Sequence, residues 1–364
     1  MHIAFCTDSN YIMPTGVAMI SVCENNRCEQ LSFHLVVTDE DIDDIVLEKK
    51  FYPLRHIAKK YGCECYLYPI ESSSLSSFEC SGVGHVSTAG FARVFIPELL
   101  EESIKKIIYL DCDVIVNGSL REMWDIELND LCPFAAVTDA NGCSASYRYN
   151  LELPLTVEYY NSGVLLMNLD CWRKNNYTRK SIECASKHKF PFLDQDMLNY
   201  LFADKAKSLS IKFNYQTLFE FTPEMYWMVD YKYVDEIRNI IKGDLDPVVI
   251  HYISSNKPWK NEWCPRREVW NKYCNMSQWK DISPQNVVTR FDRCNIYKKF
   301  IDAYWADPKL MQEVLDASVD LQMAAVKLRN KHIFVKIGMT SAKWMADILS
   351  WIFSIKTKDK CCNV

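Results

Sequence analysis

No Cys-x-x-Cys pair occurs among the sixteen cysteines of this 364-residue chain, and no His pair follows at zinc-finger intervals, which excludes the common structural zinc modules. No G-x-G-x-x-G or Walker pattern is present, so neither a dinucleotide fingerprint nor a P-loop has support. Internal repeats and polar low-complexity stretches are absent too. With 49% hydrophobic residues the chain can bury a sizeable core instead of staying disordered. A formal charge of −5 lacks the broad Lys and Arg surface that phosphate backbones demand, so no nucleic-acid partner is expected. The opening "MHIAFCTD" shows no basic stretch followed by an apolar one, so no secretory leader is indicated and the cysteines are expected as cytoplasmic thiols. The terminal "CCNV" has Asn363 where a prenylation box needs an aliphatic residue.

What is present is an alternation. Short runs rich in Ile, Val, Phe and Tyr occur at 2–7, 31–37, 65–70, 107–111, 134–138, 163–169 and 248–253, with helical patterns between the first of them at about 15–25, 40–61 and 90–105. Strands alternating with helices predict an α/β domain around a mostly parallel sheet buried on both faces. Ligands of such sheets collect beyond the carboxyl ends of the strands, which singles out Asp8 and Asn10 after the first run, Asp111 and Asp113 after the fourth, Asp139 after the fifth, and His251 in the last.

The stretch "IIYLDCDVIV" puts two carboxylates one residue apart where a buried strand ends. Two acids there cost several kcal/mol of desolvation unless a cation offsets it. A divalent ion held by one or two carboxylates and by substrate phosphates meets that need. His251 is the best candidate for a third protein ligand, and an imidazole favours Mn²⁺ over Mg²⁺. The alternative, strand-end turn acids and a satisfied core histidine, stays open on these residues alone.

The blocks "IAFCTDSNY", "STAGFARVFIPELL", "IIYLDCDVIVNGSLREMWD", "YYNSGVLLMNLDCWR", "FLDQDMLNYLF" and "IHYISSNKPW" together resemble, in order, glycosyltransferase family eight. These are retaining transferases that include bacterial lipopolysaccharide galactosyl- and glucosyltransferases and resemble glycogenin. The resemblance implies a GT-A type nucleotide-diphospho-sugar transferase fold over 1–265, a UDP-sugar donor, a glycan acceptor and a Mn²⁺ bridging the donor phosphates, with Mg²⁺ as the other option. It implies Asp111, Asp113 and His251 as metal ligands. Donor contacts fall on Thr7, Asp8, Asn10, Arg93, Asp111, Cys112, Asn161, Ser162, Asp194, Gln195, Ser254 and Lys257. Asp194 and Gln195 are the implied catalytic pair, Asp194 on sugar hydroxyls and Gln195 near the anomeric centre. Asp196 adds a third acceptor, and a helix N-cap at Asp194 is the competing reading. An amide rather than a carboxylate beside the anomeric carbon favours front-face attack over double displacement. A metal-dependent nucleotide-sugar hydrolase and a non-catalytic glycan-binding relative remain alternatives.

Beyond 265 the resemblance is silent. A Trp-rich helical extension is expected over 266–330, then a basic helical tail over 331–364. Residues 327–360 carry eight Lys or Arg against two Asp, a local +6 that leaves the remainder at −11. Lys336, Thr340, Lys343, Asp347, Ser350 and Ser354 form one polar stripe, with Phe334, Ile337, Trp344, Ile348, Trp351, Ile352 and Ile355 on the other side. Charges within it break any membrane span. The pattern predicts a helix lying in the membrane surface, which would make the protein peripheral on the inner face of the cell membrane and bring it to a lipid-linked acceptor such as lipopolysaccharide. A helix docked on protein is the alternative.

Overall fold

The computed structural model describes residues 1–39, 43–75, 88–140, 151–154, 156–220, 231–253, 256–262 and 264–285, all within one compact unit, Met1–Asn286. The tail expected over 331–364, and most of the extension expected over 266–330, lie outside the described residues. Among the described residues no helix is long and apolar enough to cross a membrane, and the cysteines form no disulfide.

A seven-stranded sheet runs in the order β3-β2-β1-β4-β7-β6-β8. Its strands are β1 His2–Thr7, β2 Ser32–Val37, β3 Glu64–Pro69, β4 Lys106–Leu110, β6 Phe134–Thr138, β7 Tyr160–Asn168 and β8 Lys207–Ser208. A second sheet joins β5 Val114–Val116, β10 Val249–His251 and β9 Tyr215–Gln216, with β10 in the middle. β1, β2, β3 and β4 are mutually parallel, as predicted; β1, β2 and β4 are buried on both faces, whereas β3 is a half-exposed edge strand. β7 is the exception, antiparallel to both β4 and β6. That reversal brings the start of β7 to the edge where the other strands end.

Two helices frame this edge. α1, Ile12–Asn25, is buried from Pro14 to Cys23. Its polar side chains tie down β5, since Ser21 Oγ accepts from the Val116 amide at 2.9 Å and Asn25 Nδ2 donates to the Val116 carbonyl at 2.8 Å. The short strand leaving the two acids is thereby fixed on a helix. α2, Asp44–Lys60, starts on Asp43, whose carboxylate accepts from the Val46 amide.

The helix expected over 90–105 is instead a 3₁₀ segment, Thr88–Phe95, and one α-turn, Ile96–Leu99. Phe91, Ala92, Val94 and Ile96 are buried along it. Pro97 withholds an amide. The tighter winding turns Arg93 inward, as described below. Past the expected boundary at 265, helix Arg267–Cys274 buries Trp270, Tyr273 and Cys274, and a Cβ on Gly16 of α1 would stand 2.4 Å from the Trp279 ring.

Candidate active site

Strand register assembles the acidic centre. Asp111 follows β4 and its amide donates to the Gly163 carbonyl of β7 at 2.8 Å. Asp113 precedes β5, and β10 pairs antiparallel with β5 so that His251 faces Val114. The three side chains, remote in sequence, offer ligand atoms within 4.8 Å of one another. His251 Nε2 lies 3.2 Å from Asp113 Oδ1 and 3.8 Å from Asp111 Oδ2.

These residues fit a divalent cation on their own geometry. Asp113 Oδ1 is buried and has no hydrogen-bond partner, a costly state unless a cation completes it. Gly163 is required by the same crowding, because a Cβ there would sit 2.2 Å from His251 Cε1 and 2.7 Å from Asp111 Oδ2. Lys257, itself buried, donates to Asp113 Oδ2 and, at 2.6 Å, to the Tyr252 carbonyl. Burial opposes ionisation of Asp113, but the positive charge of Lys257 beside it outweighs burial and holds the carboxyl well below the usual range.

Arg93 is the hub on the other side. Its guanidinium lies over the Tyr109 ring at 4.4 Å. Nη2 donates to Asp111 Oδ1 at 3.1 Å, Nη1 to the Ser162 carbonyl and Nε to the Gly90 carbonyl at 2.8 Å. Tyr109 also donates to Asp111 Oδ1. Asp194 Oδ2 is 3.1 Å from Arg93 Nε, yet that hydrogen is spent on Gly90 and Oδ2 keeps no hydrogen bond. Burial pushes the Asp194 carboxyl up, with Arg93 opposing and Asp111 reinforcing. Gly90 is needed here, since a Cβ would approach Asp194 Oδ1 to 2.7 Å.

A chain of amides links the two sides. Gln195 Oε1 accepts from Asn161 Nδ2 and from the Ser162 amide, each at 3.1 Å. Its Nε2 donates to Asp139 Oδ2 at 3.3 Å and Tyr159 Oη at 3.2 Å. Asn161 also donates to Asp139 at 2.9 Å. Asn214 donates to Asn161 Oδ1 at 2.8 Å and its own Oδ1 lies 3.0 Å from His251 Nδ1.

Thus Arg93, Asp111, Asp113, Asn161, Ser162, Asp194, Gln195, His251 and Lys257 converge. Asp8 and Asn10 sit at the carboxyl end of β1, where Asp8 Oδ1 accepts from the Asn10 amide at 2.7 Å and the Tyr11 amide at 3.1 Å. Thr7 and Cys112 turn their side chains inward: Thr7 Oγ1 pairs with Thr15 Oγ1 at 2.9 Å, and Cys112 Sγ donates to the Cys6 carbonyl at 3.1 Å. Ser254 lies outside the described residues.

Two expectations need correction. Asp196 is not an available acceptor, because it is fully buried and its oxygens accept from Tyr159 Oη and from the Phe192 amide. Asp194 is not the N-cap either: it lies in the first turn of helix Leu193–Phe202, whose N-cap position is Phe192. Tyr109 and Asn214 were missed, Tyr109 because it reads as a strand residue and Asn214 because an asparagine before a two-residue strand carries no pattern. Asp139 was signalled by its place after an apolar run.

The large, mostly parallel central sheet is that of a GT-A fold. The galactosyltransferase LgtC, solved with donor and acceptor sugar analogs, superposes with a TM-score of 0.62 at 23% identity, over 81% of this chain and all of that one. The family model "Glycosyl transferase family 8" matches residues 2–263, and the chain belongs to that family. Similar proteins include the glycosyltransferase GlyB of Streptococcus pneumoniae serotype 4, 30% identical over 90% of this chain and 72% of that protein. The lipopolysaccharide 1,2-glucosyltransferase of Escherichia coli is 28% identical over 83% of this chain and 87% of its own length.

Proposed function

We propose that the protein transfers a hexose, galactose or glucose, from a UDP-sugar to a hydroxyl of a glycan acceptor with retention of configuration, Asp111, Asp113 and His251 holding Mn²⁺ or, in its place, Mg²⁺. The carrying observation is the convergence of those three side chains around the buried, unpartnered Asp113 Oδ1. When bound, the cation supplies Lewis-acid stabilisation to the diphosphate as the sugar-phosphate bond breaks.

The protein's own groups do the rest. Lys257 places a second positive charge next to Asp113, where it steadies the departing nucleotide. Asp194 Oδ2, buried and lacking a hydrogen bond, accepts from donor sugar hydroxyls. Arg93 holds Asp111 and Asp194 in mutual register through its contacts to both. Asp8 and Asn10 meet the nucleoside at the end of β1. Thr7 and Cys112 act through their backbone, their polar side-chain atoms being engaged elsewhere.

The Gln195 oxygen already accepts two hydrogen bonds, which draws electron density from it and makes it a poor nucleophile. That supports front-face attack by the acceptor within an ion pair over a covalent intermediate. The acceptor is a lipid-linked surface glycan, lipopolysaccharide being the instance that the similarity to the E. coli enzyme supports. The basic composition of the tail over 331–364 supports peripheral association with the inner face of the membrane, and on this reading deleting 330–364 releases the protein from vesicles of anionic lipid without abolishing UDP-sugar turnover.

The test is a panel of UDP-sugars incubated with protein and Mn²⁺, measuring UDP release with and without chelator and acceptor. The expected result is chelator-sensitive release from UDP-galactose or UDP-glucose that glycan acceptors accelerate. Release that acceptors leave unchanged would identify a hydrolase, and no release from any UDP-sugar would overturn the assignment.

A further inference from the structure

The protonation of His251 can be worked out from a donor whose role is unambiguous. The Gly163 amide donates to Asn161 Oδ1 at 3.0 Å. A backbone N–H can only donate, so the Asn161 atom it meets is the carbonyl oxygen. That oxygen is also 2.8 Å from the Asn214 side chain, which must therefore present its NH₂. Asn214 Oδ1 is then the atom facing His251 Nδ1 at 3.0 Å, and an amide oxygen only accepts. Nδ1 must carry a proton. A metal-binding imidazole, being neutral, then presents its lone pair at Nε2, the nitrogen that faces Asp113 Oδ1 and Asp111 Oδ2.

The placement of Asn214 suits this work. It is fully buried, and it precedes β9, whose Gln216 pairs in register with His251 of β10. Gln216 is itself anchored, with Oε1 accepting from the Ala140 amide and Nε2 donating to the Thr138 carbonyl, both at 2.8 Å. The amide of Asn214 is thus held from both sides and cannot rotate without breaking the bond to Asn161.

We propose that Asn214 is a positioning residue that fixes His251 in its Nδ1–H form and aims the Nε2 lone pair at a cation between Asp111 and Asp113. The same side chain braces Asn161, and through it the Gln195 amide, so the metal and sugar sides of the site share one hydrogen-bonded support. The inference rests on the metal reading given above.

The experiment uses the full chain, wild type and the variants Asn214→Leu and Asn214→Asp, with Mn²⁺ affinity read from the electron paramagnetic resonance of free Mn²⁺. Imidazole ¹⁵N shifts of His251 are read with diamagnetic Mg²⁺ bound, and unfolding midpoints confirm that each variant is folded. Losing an outer partner of a ligating histidine lowers metal affinity roughly 10- to 100-fold. Asn214→Leu is expected to show that loss together with disappearance of the Nδ1–H signal. Asn214→Asp keeps an acceptor for Nδ1 and is expected to bind Mn²⁺ more tightly than Asn214→Leu. A merely structural role gives the opposite ranking, because the aspartate buries a charge and loses the bond to Asn161. Unchanged affinity in Asn214→Leu, or a wild-type proton on Nε2 and not Nδ1, overturns the proposal. Failure of the wild type to bind Mn²⁺ sinks the metal reading instead, and the nitrogen shifts then decide whether Asn214 fixes the ring.

Discussion

Replacing Lys257 by methionine separates the electrostatic account of the site from a purely steric one. Lys257 is buried and donates to Asp113 Oδ2 and to the Tyr252 carbonyl. Its removal leaves Asp113, whose side chain is only 15% exposed, with His251 as its one nearby basic group. Breaking a buried ion pair by removing one partner costs about 3–5 kcal/mol, because the remaining charge is uncompensated. The lower end applies here, about 3 kcal/mol, since methionine retains the packed stem. A divalent cation supplies the missing positive charge, so saturating Mn²⁺ should restore more stability to Lys257→Met than it adds to the wild type. Ligand linkage contributes about 2.7 kcal/mol at one hundred times Kd. Urea unfolding at neutral pH, with chelator and with Mn²⁺, measures both quantities. A chelated variant within about 1 kcal/mol of wild type, or an equal response of both proteins to Mn²⁺, would refute the charge balance drawn around Asp113.

Three further outcomes follow from other parts of the molecule. Gly163→Ala brings a methyl group into the space of His251 and Asp111 and should lower Mn²⁺ affinity roughly 10-fold or more, checked by metal titration; undiminished affinity would mean that those side chains do not form the site. Asp196→Ala removes the buried acceptor of the Tyr159 hydroxyl and of the Phe192 amide and should cost about 3 kcal/mol of stability, read from denaturant midpoints; a loss under about 1 kcal/mol would contradict the structural role given to Asp196. His34, on the opposite end of the sheet, is pushed down to about 4 by burial and by His2. The unfolded chain therefore binds a proton that the folded one refuses between its ordinary value near 6.5 and about 4. Stability should be full above that window and fall with pH through it, by about 3 kcal/mol at most, and His34→Gln should flatten that part of the stability profile.

The parallel half of the fold was legible because β1, β2 and β4 are buried on both faces and so read as unbroken apolar runs, with the half-exposed edge strand β3 continuing the same β-rich alternation. Asp8, Asp111 and Asp139 were found by inspecting where such runs end. That rule fails for β7, whose direction is reversed, so Asn161, Ser162 and Gly163 lie at the start of a run and came to notice only through the resemblance of "YYNSGVLLMNLDCWR" to the family. Nothing local in the sequence reports strand direction, because side-chain alternation and burial are the same either way. Asp194 and Asp196 show the same limit at smaller scale. Both are acids in one helical turn, and only the packing around Tyr159 and Arg93 engages both oxygens of Asp196 and leaves Asp194 Oδ2 without a hydrogen bond. The contacts of Arg93 could not be read either, since its partners come from three separate segments.

Anomalous X-ray diffraction from crystals grown with Mn²⁺ and UDP, collected at the manganese edge, tests the whole reading in one observation. A single strong peak touching oxygens of Asp111 and Asp113, Nε2 of His251 and the UDP phosphates is the predicted result. A peak elsewhere, or UDP bound at this edge of the sheet with no manganese beside those side chains, would contradict it.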